Sequence, residues 1–388
     1  MPTMSSDDPF TAIRTGLRYG GTLLVVFLLS ACATPRVQPE GDLRVEARLE
    51  NDHALMDDGY RLPLRVWAPR GDSRAVVLAV HGMNDYSNAF RSTGTQLAAH
   101  GITVLAWDQR GFGASEGAGY WHGHRRLAED LRLMCRLVHK RYPHQPLYLL
   151  GESMGGATIL ASLAERPPAV DGIILSAPAV WSRSSMPWYQ RTLLWLGAHT
   201  MPGKKLTGEG LHIMASDNID MLRALGRDPL VIKATRIDTL YGVSNLMDAA
   251  FKASRQLHTD TLILYGANDE IIPRPALCRW LSALPPEPGR RRSILYTHGY
   301  HMLTRDLEGP MVVEDIAGWI LGRAQPAGQR SDESLEAFCA GPPEREDSPS
   351  SPMRAHAEDR RPARCTGGCR PVQVPLETQN HHPPEASL

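Results

Sequence analysis

Gly151-Glu152-Ser153-Met154-Gly155 decides how this chain is read. Before it runs Leu147-Tyr148-Leu149-Leu150, a short apolar stretch with strand character. After it runs Gly156-Ala157-Thr158-Ile159-Leu160-Ala161-Ser162-Leu163-Ala164, rich in good helix formers. A G-x-S-x-G between strand and helix predicts a sharp turn that lifts the serine hydroxyl above a sheet edge. The flanking glycines suit a strained backbone and leave no side chain to collide with neighbouring elements.

Working outward, Ala75–Val80 and Ile102–Trp107 are nearly continuous apolar runs, the pattern of strands buried on both faces of a parallel sheet. Alternation over Tyr60–Trp67 predicts a half-buried strand before them. Further strands are expected at Leu147–Leu150, Gly172–Leu175, Thr261–Tyr265 and Ser293–Tyr296. Helical spacing falls at Asn88–Ala99, His124–Lys140, Pro273–Leu284 and Val312–Leu321. Strands separated by helical patterns imply an α/β fold with a mostly parallel central sheet and helices on both faces. Residues 180–260 interrupt that rhythm with Trp181, Trp188, Tyr189, Leu193, Trp195, Leu196 and Met201. They are read as an inserted helical cap with an apolar inner face.

A serine hydroxyl is a weak nucleophile and needs a neighbouring base, itself oriented by a carboxylate. Ser153 is the expected nucleophile. The acid should follow a late strand, and Thr261–Tyr265 leads into Gly266-Ala267-Asn268-Asp269-Glu270. Asp269 is preferred over its neighbour Glu270. The base should follow the last strand, where His298 and His301 compete. His301 is preferred, because a ring reaching back over the sheet edge belongs in the loop beyond the strand. Oxyanion donors are expected from the backbone N–H of Met154, at a helix start, and of Met83 in the early loop His81-Gly82-Met83-Asn84. His81 is read as a structural residue fixing that loop.

These phrases occur in order with Asp108-Gln109-Arg110-Gly111-Phe112-Gly113-Ala114-Ser115 and Tyr300-His301-Met302-Leu303. Together they resemble the α/β-hydrolase superfamily, in its monoacylglycerol lipase and lysophospholipase-like branch. Asp228-Pro229-Leu230 in the cap is similar to that branch as well. The resemblance covers residues 55–322 and implies a serine ester hydrolase acting on a lipid with a single acyl chain. It also implies that residues 108–115 shape the floor of the site without acting as catalytic groups. Alternatives within the same chemistry are a short-chain carboxylesterase or a peptidase. A non-catalytic surface lipoprotein is a third reading, weakened because every catalytic role is filled. No cofactor or metal is called for, and oligomeric state is not legible.

The flanks carry different signals. Arg14 and Arg18 precede the apolar run Leu23–Leu29, too short to span a bilayer at roughly 20 residues. Leu29-Ser30-Ala31-Cys32 resembles a bacterial lipobox, so residues 1–31 are expected to be a signal peptide and Cys32 a lipidated anchor. Residues 32–54 are then expected to be a tether leading to the folded domain. The catalytic domain would lie outside the cytoplasm on the cell envelope. Ala33 in place of an aspartate favours the outer membrane.

Residues 323–388 hold about a third of the 30 prolines and little aliphatic content, and are expected to be disordered. No disulfide framework is expected: of the six cysteines, Cys135 and Cys278 are read as small buried apolar residues and Cys339 as part of the tail. Cys365 and Cys369 have the wrong spacing for a common zinc site. Acidic and basic residues balance at 42 each, so charge gives no reason to expect a nucleic-acid partner.

Overall fold

A computed structural model of the 388-residue chain describes residues 33–211, 213–286, 290–323 and 334–341. The lipobox cysteine Cys32, the signal segment, Cys365 and Cys369 lie outside the described residues.

Nine strands form one sheet: β1 (Arg48–Leu49), β2 (His53–Leu55), β3 (Arg61–Trp67), β4 (Ala75–Val80), β5 (Ile102–Trp107), β6 (Leu147–Glu152), β7 (Gly172–Ser176), β10 (Thr261–Gly266) and β11 (Arg291–Tyr296). Their spatial order is β1-β2-β3-β5-β4-β6-β7-β10-β11. The first three run antiparallel to their neighbours, and the six from β5 to β11 are mutually parallel.

Every residue of β4 and β5 is buried, and the two faces feed different cores. Val76, Leu78 and Val80 point into one core. It also takes Leu127, Leu131, Met134 and Val138 from α2 (His124–Arg141) and Ile159 and Leu160 from α3 (Met154–Ser162). Ala75, Val77 and Ala79 point into the other, with Leu97 from α1 (Arg91–Ala99) and Val312, Val313 and Ile316 from α8 (Gly309–Ile320). The uninterrupted apolar runs follow from this two-sided burial.

Between β7 and β10 the chain forms α4 (Trp188–Thr200), β8 (Lys205–Thr207), α5 (Ile219–Arg227), β9 (Ala234–Arg236) and α6 (Ile237–Ala253). β8 and β9 pair as a small antiparallel ribbon. α6 belongs to the core, burying Leu246, Met247 and Ala250. The aromatic stripe of α4 is solvent-exposed. Trp188 is 71% exposed, Leu193 66% and Trp195 51%, and among the described residues of α4 only Ala198 is buried.

The cysteines depart from the sequence reading. Cys278 in α7 (Arg274–Ser282) is disulfide-bonded to Cys339 in α9 (Leu335–Ala340), 61 positions away. Residues 334–341, read as disordered, therefore include a short helix that returns to the domain. Its apolar side gives it something to bury: Leu335 is fully buried, and the Arg274 guanidinium lies 4.4 Å over the Phe338 ring. Cys135 is free and buried. No helix among the described residues is long and apolar enough to cross a membrane.

Candidate active site

Ser153 stands between β6 and α3 at φ 52° and ψ −115°, a conformation a non-glycine residue holds only when its surroundings impose it. The surroundings are close. A Cβ on Gly155 would lie 1.9 Å from the Val80 carbonyl oxygen, and one on Gly151 would lie 2.6 Å from the Gly156 backbone. Hydrogen bonds fix the turn to β7 and beyond it. Ser153 N–H donates to Ser176 O at 3.0 Å, and Ala179 N–H donates to Ser153 O at 2.9 Å.

Asp269 follows β10, and His301 follows β11, so both lie at the same end of the parallel strands as Ser153. Asp269 Oδ1 accepts from Ile271 N–H at 2.8 Å and Ile272 N–H at 3.0 Å, which fixes the carboxylate. Asp269 Oδ2 lies 2.9 Å from His301 Nδ1. Both side chains are buried, so the pair is shielded from water. With Nδ1 engaged, Nε2 is the nitrogen left for proton transfer. Among the described hydrogen bonds none joins the Ser153 hydroxyl to His301, while Asp269 and His301 are already paired. Catalytic contacts often tighten only when substrate binds.

The competing residues are placed elsewhere. Glu270 is exposed and its Oε2 accepts from Met214 N–H at 2.7 Å. His298 is exposed. His81 is fully buried, and both ring nitrogens are occupied. Nδ1 pairs with Gly82 O at 2.7 Å, while Nε2 accepts from Gln109 N–H at 2.9 Å. Burial lowers its pKa, in keeping with a neutral structural ring.

Gly82 packs against the serine turn: a Cβ there would lie 3.5 Å from both the Ser153 Cβ and Glu152 Oε1. That brings Met83, the next residue, to the same corner as Met154 at the start of α3. Among the described hydrogen bonds, neither N–H donates to a protein acceptor. Asp108 is structural, its two oxygens accepting from Ser87 N–H at 2.9 Å and Ala114 N–H at 2.8 Å.

Three features escape a sequence reading. The first is a strap. Residues 214–218 bind the acid loop through Met214 and the histidine loop through four further bonds. Met302 N–H donates to Ala215 O at 3.0 Å, and Ser216 Oγ to Asp306 Oδ1 at 2.6 Å. Asn218 Nδ2 donates to Arg305 O at 3.0 Å, and Leu307 N–H to Asp217 Oδ1 at 2.8 Å.

The second is Asp306, whose Oδ2 accepts from Tyr300 N–H at 2.8 Å and so closes the loop around His301. Burial, reinforced by the nearby Asp217 and Glu152 charges, pushes its pKa up to about 6 against its two hydrogen bonds. The third is a buried cluster of Arg305 with Asp85 and Glu152. The sequence holds one clue to it: a carboxylate next to the serine, in a segment read as core, needs a buried cation.

Residues 71–308 match the model of the family described as serine aminopeptidase, S33. The monoglyceride lipase of Rattus norvegicus is 27% identical over 312 residues, spanning 76% of this chain and 96% of the relative. The monoacylglycerol lipase of Mycolicibacterium smegmatis is 25% identical, spanning 68% and 94%. Among solved structures, the monoacylglycerol lipase of Paleococcus ferrophilus superposes with a TM-score of 0.58 at 22% identity, over 68% of this chain and 99% of that one. A soluble variant of the Saccharomyces cerevisiae monoglyceride lipase gives 0.60 at 18% identity, over 73% and 98%.

Proposed function

The chain belongs to the serine aminopeptidase S33 family, has the α/β-hydrolase fold and is a carboxylic ester hydrolase; from that premise we propose that it cleaves a lipid ester carrying one acyl chain. The substrate class is a monoacylglycerol or lysophospholipid. The observation that carries the hydrolytic chemistry of this reading is the buried Asp269–His301 pair at 2.9 Å, at the same end of the sheet as the strained Ser153.

The Ser153 hydroxyl attacks the ester carbonyl carbon while His301 Nε2 takes its proton, and Asp269 holds the imidazole through Nδ1. The carbonyl oxygen becomes an oxyanion bound by the Met83 and Met154 N–H groups. Collapse breaks the ester bond, and His301 returns the proton to the departing alcohol. Water, deprotonated by the same ring, then attacks the acyl-serine, releasing the fatty acid and restoring the hydroxyl.

The relatives from rat and Mycolicibacterium support a monoacylglycerol as substrate, by their names. The exposed Trp188, Leu193 and Trp195 of α4 give the insertion an apolar surface suited to a lipid aggregate. Lipidation of Cys32 would hold the domain at the bacterial cell envelope, with the outer membrane favoured. The Cys278–Cys339 disulfide supports an oxidising compartment outside the cytoplasm.

Rates on monoacylglycerols, lysophospholipids, p-nitrophenyl esters of graded length and an aminoacyl-amide test the proposal. The family description makes the amide a necessary member of the panel. Highest kcat/KM on the single-chain lipids is expected. A maximum at acetate, or on the amide, would overturn the substrate assignment.

A further inference from the structure

Three loops of the site meet on one guanidinium. Arg305 ends the short 3₁₀ turn Leu303–Arg305, four residues beyond His301. Its Nη1 donates to Asp85 Oδ2 at 2.6 Å, and its Nη2 donates to Glu152 Oε1. Asp85 lies two residues beyond Met83, and Glu152 immediately precedes Ser153. The three side chains are 7%, 7% and 3% exposed, and the contacts span 220 and 153 positions of sequence. Burial alone would disfavour the charge on Arg305, but Glu152 and Asp85 outweigh it and keep the group protonated.

A guanidinium is a rigid planar fork, so carboxylates bound to its two ends are held at a set separation. Here those ends are the oxyanion loop after β4 and the serine turn after β6, while the arginine is carried on the histidine loop after β11. We propose that Arg305 is a positioning residue for ester hydrolysis: it sets the spacing of nucleophile, base and oxyanion donors and touches no substrate. This rests on the assignment of Ser153 and His301 made above.

A role in stability alone makes a different prediction. Removing only the arginine strands two buried carboxylates, whereas removing all three charges together can leave stability intact. The test therefore compares the wild-type protein with R305K and with the triple variant R305M/E152Q/D85N. Lysine keeps the charge but is a point donor that cannot grip both carboxylates in fixed geometry. Each protein is assayed for thermal midpoint, for kcat and KM on a p-nitrophenyl ester, and for the rate of fluorophosphonate labelling at Ser153.

The expected result is a triple variant that melts close to wild type. Its kcat and labelling rate fall about 10²-fold, the scale of a 1 Å misplacement, with KM little changed. R305K shows the same split. A triple variant with wild-type midpoint and wild-type kcat would overturn the proposal, as would activity that recovers in step with stability. If the triple variant does not fold, wild-type kcat in folded R305K overturns it instead. Failure of the wild-type protein to label at Ser153 removes the underlying assignment too; efficient wild-type labelling with unimpaired variants removes Arg305 alone.

Discussion

A methyl group on Gly155 would lie 1.9 Å from the carbonyl oxygen of Val80, well inside any real contact. The start of α3 therefore rests directly on the end of β4, a close approach that the absent side chain at Gly155 permits beside the positive φ of Ser153. Gly155→Ala is expected to cost about 1–3 kcal/mol of stability through overpacking. It should also lower ester turnover on the order of 10²-fold through displacement of the hydroxyl. Thermal melts and steady-state rates read both. A variant with unchanged turnover would show that the turn tolerates the shift.

Asp269 and Glu270 are adjacent, yet only Asp269 reaches His301. Asp269→Asn preserves shape but removes the charge that fixes the tautomer, and is expected to lower kcat about 10⁴-fold. Glu270→Gln alters only an exposed contact to Met214 and should stay near wild-type turnover. Equal losses in the two variants would contradict the assignment of the acid.

Asp306 has a folded pKa of about 6, above its ordinary value of 3.8. Between those values the folded protein binds more protons at this site than the unfolded chain. Its contribution to stability therefore declines as pH rises from about 4 to about 6. Above that window the buried charge costs at most about 3 kcal/mol. Asp306→Asn mimics the protonated form, accepting from Tyr300 through Oδ1 and donating to Ser216 through Nδ2. It is expected to melt above wild type at pH 7.5, with the difference closing toward pH 4. A difference that is constant or reversed across the window would rule this out.

How much of this was legible depends on the range of the interaction. β4 and β5 have the bounds their apolar runs give, because two-sided burial writes itself as unbroken hydrophobicity. The placement of Ser153, Asp269 and His301 in loops at one end of the sheet was legible because each sits just past a recognisable strand. The exposure of α4 was not: its apolar residues are plain in the sequence, but exposure depends on what packs against them, and Trp188 stays open. Nor could spacing pair Arg305 with a carboxylate 153 or 220 positions away.

The disulfide was illegible for a related reason. Six cysteines permit many pairings, and nothing in their spacing selects Cys278 with Cys339. A cross-link closing a loop of this size typically contributes about 2–4 kcal/mol. Cys339→Ser is expected to lower the melting temperature, and dithiothreitol should lower that of the wild type but not of the variant. Identical melting of oxidised and reduced wild type would mean that the bridge is absent in solution.

The proposed hydrolysis requires Ser153 as the nucleophile of a relay completed by His301 and Asp269. Peptide mass mapping after fluorophosphonate treatment addresses it directly. The expected result is a single adduct on the peptide carrying Ser153, lost in His301→Ala and accompanied by complete loss of ester hydrolysis. An adduct on another residue, or full hydrolysis by Ser153→Ala, would contradict it.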